Sequence, residues 1–129
     1  MCLTPLKIRK FLWWTFPKIQ RAKKNIIVYK ILSLYNNPPF QKFLYKHGCN
    51  YPVLFQNSKQ IRKKSDGFVS ITYGWLHAFT NEHAAERYIE FCMLWPDMYK
   101  ICKMIIPKGT KYILGKADDI CAKCLKWNE

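Results

Sequence analysis

The residues whose type and spacing could do chemistry are few in this 129-residue chain, and the most specific are Cys121-Ala-Lys-Cys124. A two-residue gap lets two thiolates share one tetrahedral metal, and a second such pair would make a zinc site. There is no second pair. His47 and Cys49 could add two ligands, but they stand at i, i+2, and nothing in the sequence places them near the C-terminus. The expectation is therefore no metal, with Cys121 and Cys124 as the candidates if one binds. As a redox dithiol the pair lacks the helix N-terminus that lowers a thiol pKa, because it falls in a strand-like run.

Ser70, Thr72 and Cys92 are possible nucleophiles with His77 and His83 close by, yet no local motif supplies a base and a group to orient it. The five glycines are scattered singly, which excludes the two common glycine-rich phosphate loops. No catalytic residue and no cofactor is implied. Glu82, Glu86 and Glu90 stand at i, i+4, i+8, a repulsive stripe on one helical face. Either that stripe is solvated, or it receives part of the chain's own basic half.

That basic half is the chain's most pronounced feature. Residues 1 to 65 hold 14 Lys and Arg and no acid, whereas residues 66 to 129 hold eight basic and eight acidic side chains, so the formal charge of +14 belongs to the first half. Uncompensated charge of this density calls for a counter-charge: nucleic acid, an anionic membrane surface, an acidic protein, or the chain's own glutamates. Lys7, Arg9, Lys10, Lys18, Arg21, Lys23, Lys24, Arg62, Lys63 and Lys64 are the candidate phosphate contacts, and Trp13 and Trp14 could stack on unpaired bases. The same tryptophans could instead seat residues 7 to 24 at a lipid interface.

Positioning these groups requires a core. Half the residues are apolar and 16% aromatic, enough for one domain. The longest early apolar run is Phe11 to Trp14, too short for a signal peptide, and no stretch nears the roughly 20 apolar residues of a membrane span. A cytoplasmic chain with its six cysteines reduced is expected.

Along the chain, residues 1 to 25 read as a basic, partly helical extension, with Ile8, Phe11, Leu12, Phe16 and Ile19 at helical spacing. Ile26 to Leu34 reads as a buried strand closed by Asn36-Asn37-Pro38-Pro39, and residues 40 to 65 stay unassigned. Phe68 to Tyr73 alternates as a strand. Asn81 to Leu94 is the principal helix, capped by Thr80 or Asn81, with Ala84, Tyr88, Phe91, Cys92 and Trp95 as its apolar stripe and Pro96 as its stop. Tyr99 to Ile106, Lys111 to Leu114 and Ile120 to Trp127 are strands, the first two joined through the Pro107-Lys-Gly109 turn. This order predicts an α+β domain over residues 26 to 129 with a mainly antiparallel sheet.

The run Gly74-Trp-Leu-His-Ala-Phe79, with Ile106-Pro-Lys-Gly-Thr-Lys-Tyr-Ile113 and Asp119-Ile-Cys-Ala122 after it, resembles small uncharacterised proteins of bacteria and their phages that pair a GYHAF segment with an IPKGTKYY hairpin. That resemblance covers residues 68 to 127 and implies organisation rather than chemistry. Gly67-Phe-Val-Ser-Ile-Thr72 and Ile106-Pro-Lys-Gly-Thr110 also resemble two strands of ADP-ribosyltransferase folds. Those enzymes carry a late catalytic glutamate where this chain has Asp118 and Asp119, so the likeness implies a degenerate scaffold. The residues and resemblances together lead to one expectation, a non-enzymatic module that meets nucleic acid or another polyanion through its basic half.

Overall fold

A computed structural model describes residues 3–6, 8–11, 14–39, 44–52, 61–63, 69–71, 75–92 and 94–128. The chain is mainly antiparallel sheet with one principal helix. Twelve strands are defined among the described residues: β1 Ile8–Phe11, β2 Trp14–Pro17, β3 Gln20–Arg21, β4 Ile26–Ser33, β5 Gly48–Asn50, β6 Ile61–Lys63, β7 Val69–Ile71, β8 Leu76–Phe79, β9 Tyr99–Ile106, β10 Lys111–Leu114, β11 Asp119–Ala122 and β12 Leu125–Trp127. Helix α1 spans Glu82–Phe91, and a single 3-10 turn covers Pro96–Met98. Trp13, Lys7 and Lys64, named above as possible contacts, lie outside the described residues.

Eight strands form one sheet in the order β3-β10-β11-β8-β4-β9-β12-β5, while β1–β2 and β6–β7 are separate two-stranded ladders. Its longest pairing, β4 against β9, runs unbroken from Ile26↔Ile106 to Ser33↔Tyr99. The order contains a geometric demand. Strands β11 and β12 are joined by only Lys123 and Cys124, so Ala122 and Leu125 can lie at most about 11 Å apart. Four inter-strand steps separate them in the sheet, about 19 Å if it were flat. The sheet therefore curls until one bent segment closes it, with β11 on one side of the seam and β12 on the other.

Curling gives the sheet an inside. Val28, Leu32, Leu76, Ala78, Cys102, Met104, Ile106, Ile120 and Ala122 point inward, all at even positions, whereas Leu125 and Trp127 point inward at odd ones. That change of parity marks an extra residue at the bend. On the outer face α1 lays Ala84, Ala85 and Ile89 against Ile31 and Phe79. Asn81 caps it, its side chain accepting from the Ala84 N–H at 2.7 Å. The expected helix thus holds, but its stripe shifts: Phe91 and Trp95 are 86% and 76% exposed, because the helix ends at Phe91 and buries neighbouring small residues instead.

The N-terminal stretch departs from the helical expectation. Ile8–Phe11 and Trp14–Pro17 pair antiparallel, with Ile8 opposite Pro17 and Phe11 opposite Trp14. Aromatic and branched residues suit a pleated surface, and Pro17 sits at a strand end where a missing N–H costs little. Before Ile26 the chain also enters the main sheet: Pro5 bridges Gly115, β3 is an edge strand, and Leu3 is buried with Trp75, Ile113 and Cys121. Gly115 is required there, since a Cβ would fall 2.6 Å from Asp119 Cγ and 2.9 Å from Leu3 Cγ.

One inward position is a lysine. Lys30 lies between Val28 and Leu32 on β4, and its Nζ donates to the His77 carbonyl at 2.5 Å and sits 5.2 Å from the Tyr45 ring. Strands β4 and β8 share only the Tyr29↔Phe79 pair, so they diverge there, and the ammonium takes a carbonyl that a continued ladder would have used. Burial pulls the Lys30 pKa down to about 7. Between that value and the ordinary 10.5 the unfolded chain binds a proton the folded one does not, so stability rises with pH across this window. Urea titrations of the wild type and Lys30→Met at pH 7.5 and 9.5 should show the difference between them moving by about 2 kcal/mol in favour of the wild type at the higher pH.

Candidate functional site

Cations on the outer face at the β3 end of the sheet come together by strand register. Lys111 on β10 lies directly opposite Arg21 on β3, and the Lys123 N–H donates to the Lys111 carbonyl at 3.0 Å, extending the β10–β11 ladder by one step. Arg21, Lys111 and Lys123 therefore form a transverse row across three neighbouring strands. Side chains directly opposite one another stand about 5 Å apart at Cβ, and like charges in that arrangement are destabilising. The Lys123 Nζ lies 4.3 Å from the centroid of the Trp75 ring, which offers it a cation–π contact. Burial lowers the Lys123 pKa, and the charge of Lys111 lowers it further.

The turn beside this row adds to it. The Gly109 N–H donates to the Ala22 carbonyl at 2.7 Å and the Ala22 N–H to the Thr110 carbonyl at 2.9 Å. The Lys108 N–H donates to Asn25 Oδ1 at 3.0 Å, and Arg21 Nη1 donates to the Gly109 carbonyl at 3.1 Å. The 107–110 turn is thus held against residues 21 to 25, and Lys23, Lys24 and Lys108, all exposed, join Arg21 and Lys111 at one corner.

The described acids lie elsewhere. Glu82, Glu86 and Glu90 are on α1, Asp97 is in the 3-10 turn, and Asp118 and Asp119 lie at the start of β11, whose other end leads to Lys123 about 13 Å away. Arg87 pairs with Asp118 at 3.6 Å and His83 with Glu86 at 3.7 Å. Neither of these two pairs joins the glutamate stripe to the basic half.

Of the contacts named from sequence, Lys18, Arg21, Lys23 and Lys24 are exposed, and the last three share the corner. Arg9 and Lys10 lie on β1 and Arg62 and Lys63 on β6, in two ladders of which β2 neighbours both β6 and β7. Trp14 is on β2. Lys108, Lys111 and Lys123 were missed, because they belong to the half whose charges sum to zero and only cross-strand register places them beside Arg21.

The cysteine pair is split. Cys121 is fully buried on the outer face with Leu3, Trp75 and Ile113, whereas Cys124 lies past the bend, near Cys49 and Tyr51. Burial pushes the Cys121 thiol far above its ordinary value. Among the described residues no three of His, Cys, Asp and Glu gather where they could hold a metal. His47 stacks on Trp127 with ring centroids 4.2 Å apart. The two segments likened to ADP-ribosyltransferase strands lie in different ladders, Val69–Ile71 with β6 and Ile106 at the end of β9. No helix among the described residues is long and apolar enough to cross a membrane.

Compared with known proteins, the chain matches no family model, no curated protein and no solved structure.

The row carries a stability cost that charge reversal should relieve. Lys111→Glu would face cations on both sides, and thermal melts at low salt should show it more stable than the wild type by about 0.2–1 kcal/mol per neighbour, with the gain shrinking as salt is added.

Proposed function

We propose that this protein is a binding module for nucleic acid, contacting the phosphate backbone through the corner built by Arg21, Lys23, Lys24, Lys108 and Lys111. The observation that supports this reading most is the register that sets Arg21 directly opposite Lys111, with Lys123 on the next strand, because like charges directly opposite one another are destabilising. A phosphate between two cations turns that repulsion into attraction, and binding releases the counterions condensed on the polymer. Basic side chains that meet phosphate set affinity and position but read no bases. The described aromatic of the corner, Trp75, is buried beneath Lys123, so contacts of this kind favour no particular sequence.

The test is a titration of the full chain with single-stranded DNA, duplex DNA, RNA and anionic vesicles, each at two salt concentrations. Nucleic-acid binding should weaken steeply with salt. In Arg21→Gln/Lys108→Gln/Lys111→Gln the logarithmic salt slope should fall by about 2 to 3, one for each lost phosphate contact. Lys103→Gln, on β9 beyond the corner, should leave the slope unchanged. Binding to vesicles alone, or a slope that the triple variant does not move, would overturn the reading.

A further inference from the structure

Strand β5 returns the chain to the sheet at its far edge and brings a second chemical group with it. It pairs with β12 as Gly48↔Trp127, Cys49↔Lys126 and Asn50↔Leu125. Asn50 and Leu125 are buried on the inward side, so Cys49 and Lys126 face out, and one further step along each strand places Tyr51 and Cys124 on that same outer face. The three groups lie near enough to perturb one another: Cys124 and Cys49 both act on the Tyr51 hydroxyl, and Cys49 acts on the Cys124 thiol. Cys49 is exposed at the surface and Cys124 is buried behind it. Their mutual contacts raise the Tyr51 hydroxyl, chiefly through Cys124, and burial holds the Cys124 thiol at about 11.

Side-chain hydrogen bonds add to the pairing of this short strand. Asn50 Nδ2 donates to the carbonyls of Lys46 at 2.9 Å, Gly48 at 3.2 Å and Leu125 at 3.2 Å, and Asn50 Oδ1 accepts from the Lys46 N–H at 3.0 Å. The Leu125 bond ties β5 to β12 through a side chain, and the Lys46 bonds close the turn that leads into β5. Gly48, at φ +96°, supplies the left-handed backbone that turn needs. Two thiols are thus kept together by backbone pairing and a buried amide.

We propose that Cys49 and Cys124 are a disulfide-forming pair, oxidised by exchange with a small anionic disulfide and stapling the edge strand β5 to β12. The exposed Cys49, as thiolate, attacks one sulfur of the reagent; the reagent's S–S bond breaks and one thiolate leaves. Cys124 then loses its proton to solvent and attacks the Cys49 sulfur of the mixed disulfide, expelling the second thiolate. Two protein thiols lose two protons and two electrons, and the reagent gains both as two thiols. The ammonium of Lys126, opposite Cys49, favours an anionic reagent over a neutral one. Diagonal neighbours on an antiparallel pair stand about 7–8 Å apart, just beyond the usual disulfide span, so closing the bond draws β5 toward β12 by about 1 Å, a shift open to a three-residue edge strand paired on one side. Cys102 and Cys121 are buried and out of reach of such a reagent, which leaves Cys92 as the partly exposed control among the described residues.

The experiment treats the full chain with oxidised glutathione and follows intact mass and peptide maps after alkylation of free thiols. The wild type should lose about 2 Da, retain no glutathione, and yield one peptide joining Cys49 to Cys124. In Cys124→Ser a glutathione adduct should accumulate on Cys49, since the second attack is gone, and in Cys49→Ser the reaction should slow at least about tenfold. Cys92→Ser should behave as the wild type. Circular dichroism of each variant confirms that it folds. A disulfide mapped to another pair, or Cys49 and Cys124 both still alkylated after treatment, would overturn the proposal, and so would Cys49→Ser reacting at the wild-type rate.

Discussion

Everything in this molecule depends on the closure of its sheet by the bent segment from Asp119 to Trp127. Two residues, Lys123 and Cys124, are too few to cross a flat sheet between β11 and β12, so the strands between them must wrap. The wrap decides what is inside. Met104, Ile106, Ile120 and Leu125 meet across it at full burial, and the small Ala78 and Ala122 leave room for Tyr45 and Trp127. It also makes Lys30 an interior residue, with a backbone carbonyl and an aromatic face in place of water.

Closure orders the outer surface as well. The bend ends β11 at a point where Lys123 lies beside Lys111 and then carries the chain to β12, where Cys124 meets Cys49. One turn of the backbone thus separates a row of cations from a thiol pair, on opposite sides of the seam. A Cys-x-x-Cys spacing with the appearance of a chelate spans a bend, and its two sulfurs lie in different surroundings. Over the middle of the sheet, α1 covers Ile31 of β4 and Phe79 of β8 and carries the three glutamates there, not at the basic corner on β3 and β10.

The local elements were largely legible in the residues. The stop at Pro96, the cap at Asn81 and the branched run from Ile26 define their own boundaries, because capping, missing N–H groups and side-chain branching act within a few residues. The antiparallel character of the sheet followed from its hairpins. In the N-terminal segment the helical expectation gives way to strands, because apolar residues at mixed spacing fit both periods and the pairing of β1 with β2 makes the choice.

By itself the sequence determined the charge asymmetry, the helix, the principal strands and the absence of any common phosphate loop, all properties of composition or of short windows. Only the tertiary structure decided which charges act together. The basic half does not stand alone: its Arg21, Lys23 and Lys24 join Lys108 and Lys111 from the half that is neutral overall. Likewise Cys49 and Cys124, 75 positions apart in the chain, are neighbours, while Cys121 and Cys124, three apart, are not. The reason is that strand register sets side-chain proximity across a sheet, and register here depends on where a curled sheet closes, which no local window of residues specifies.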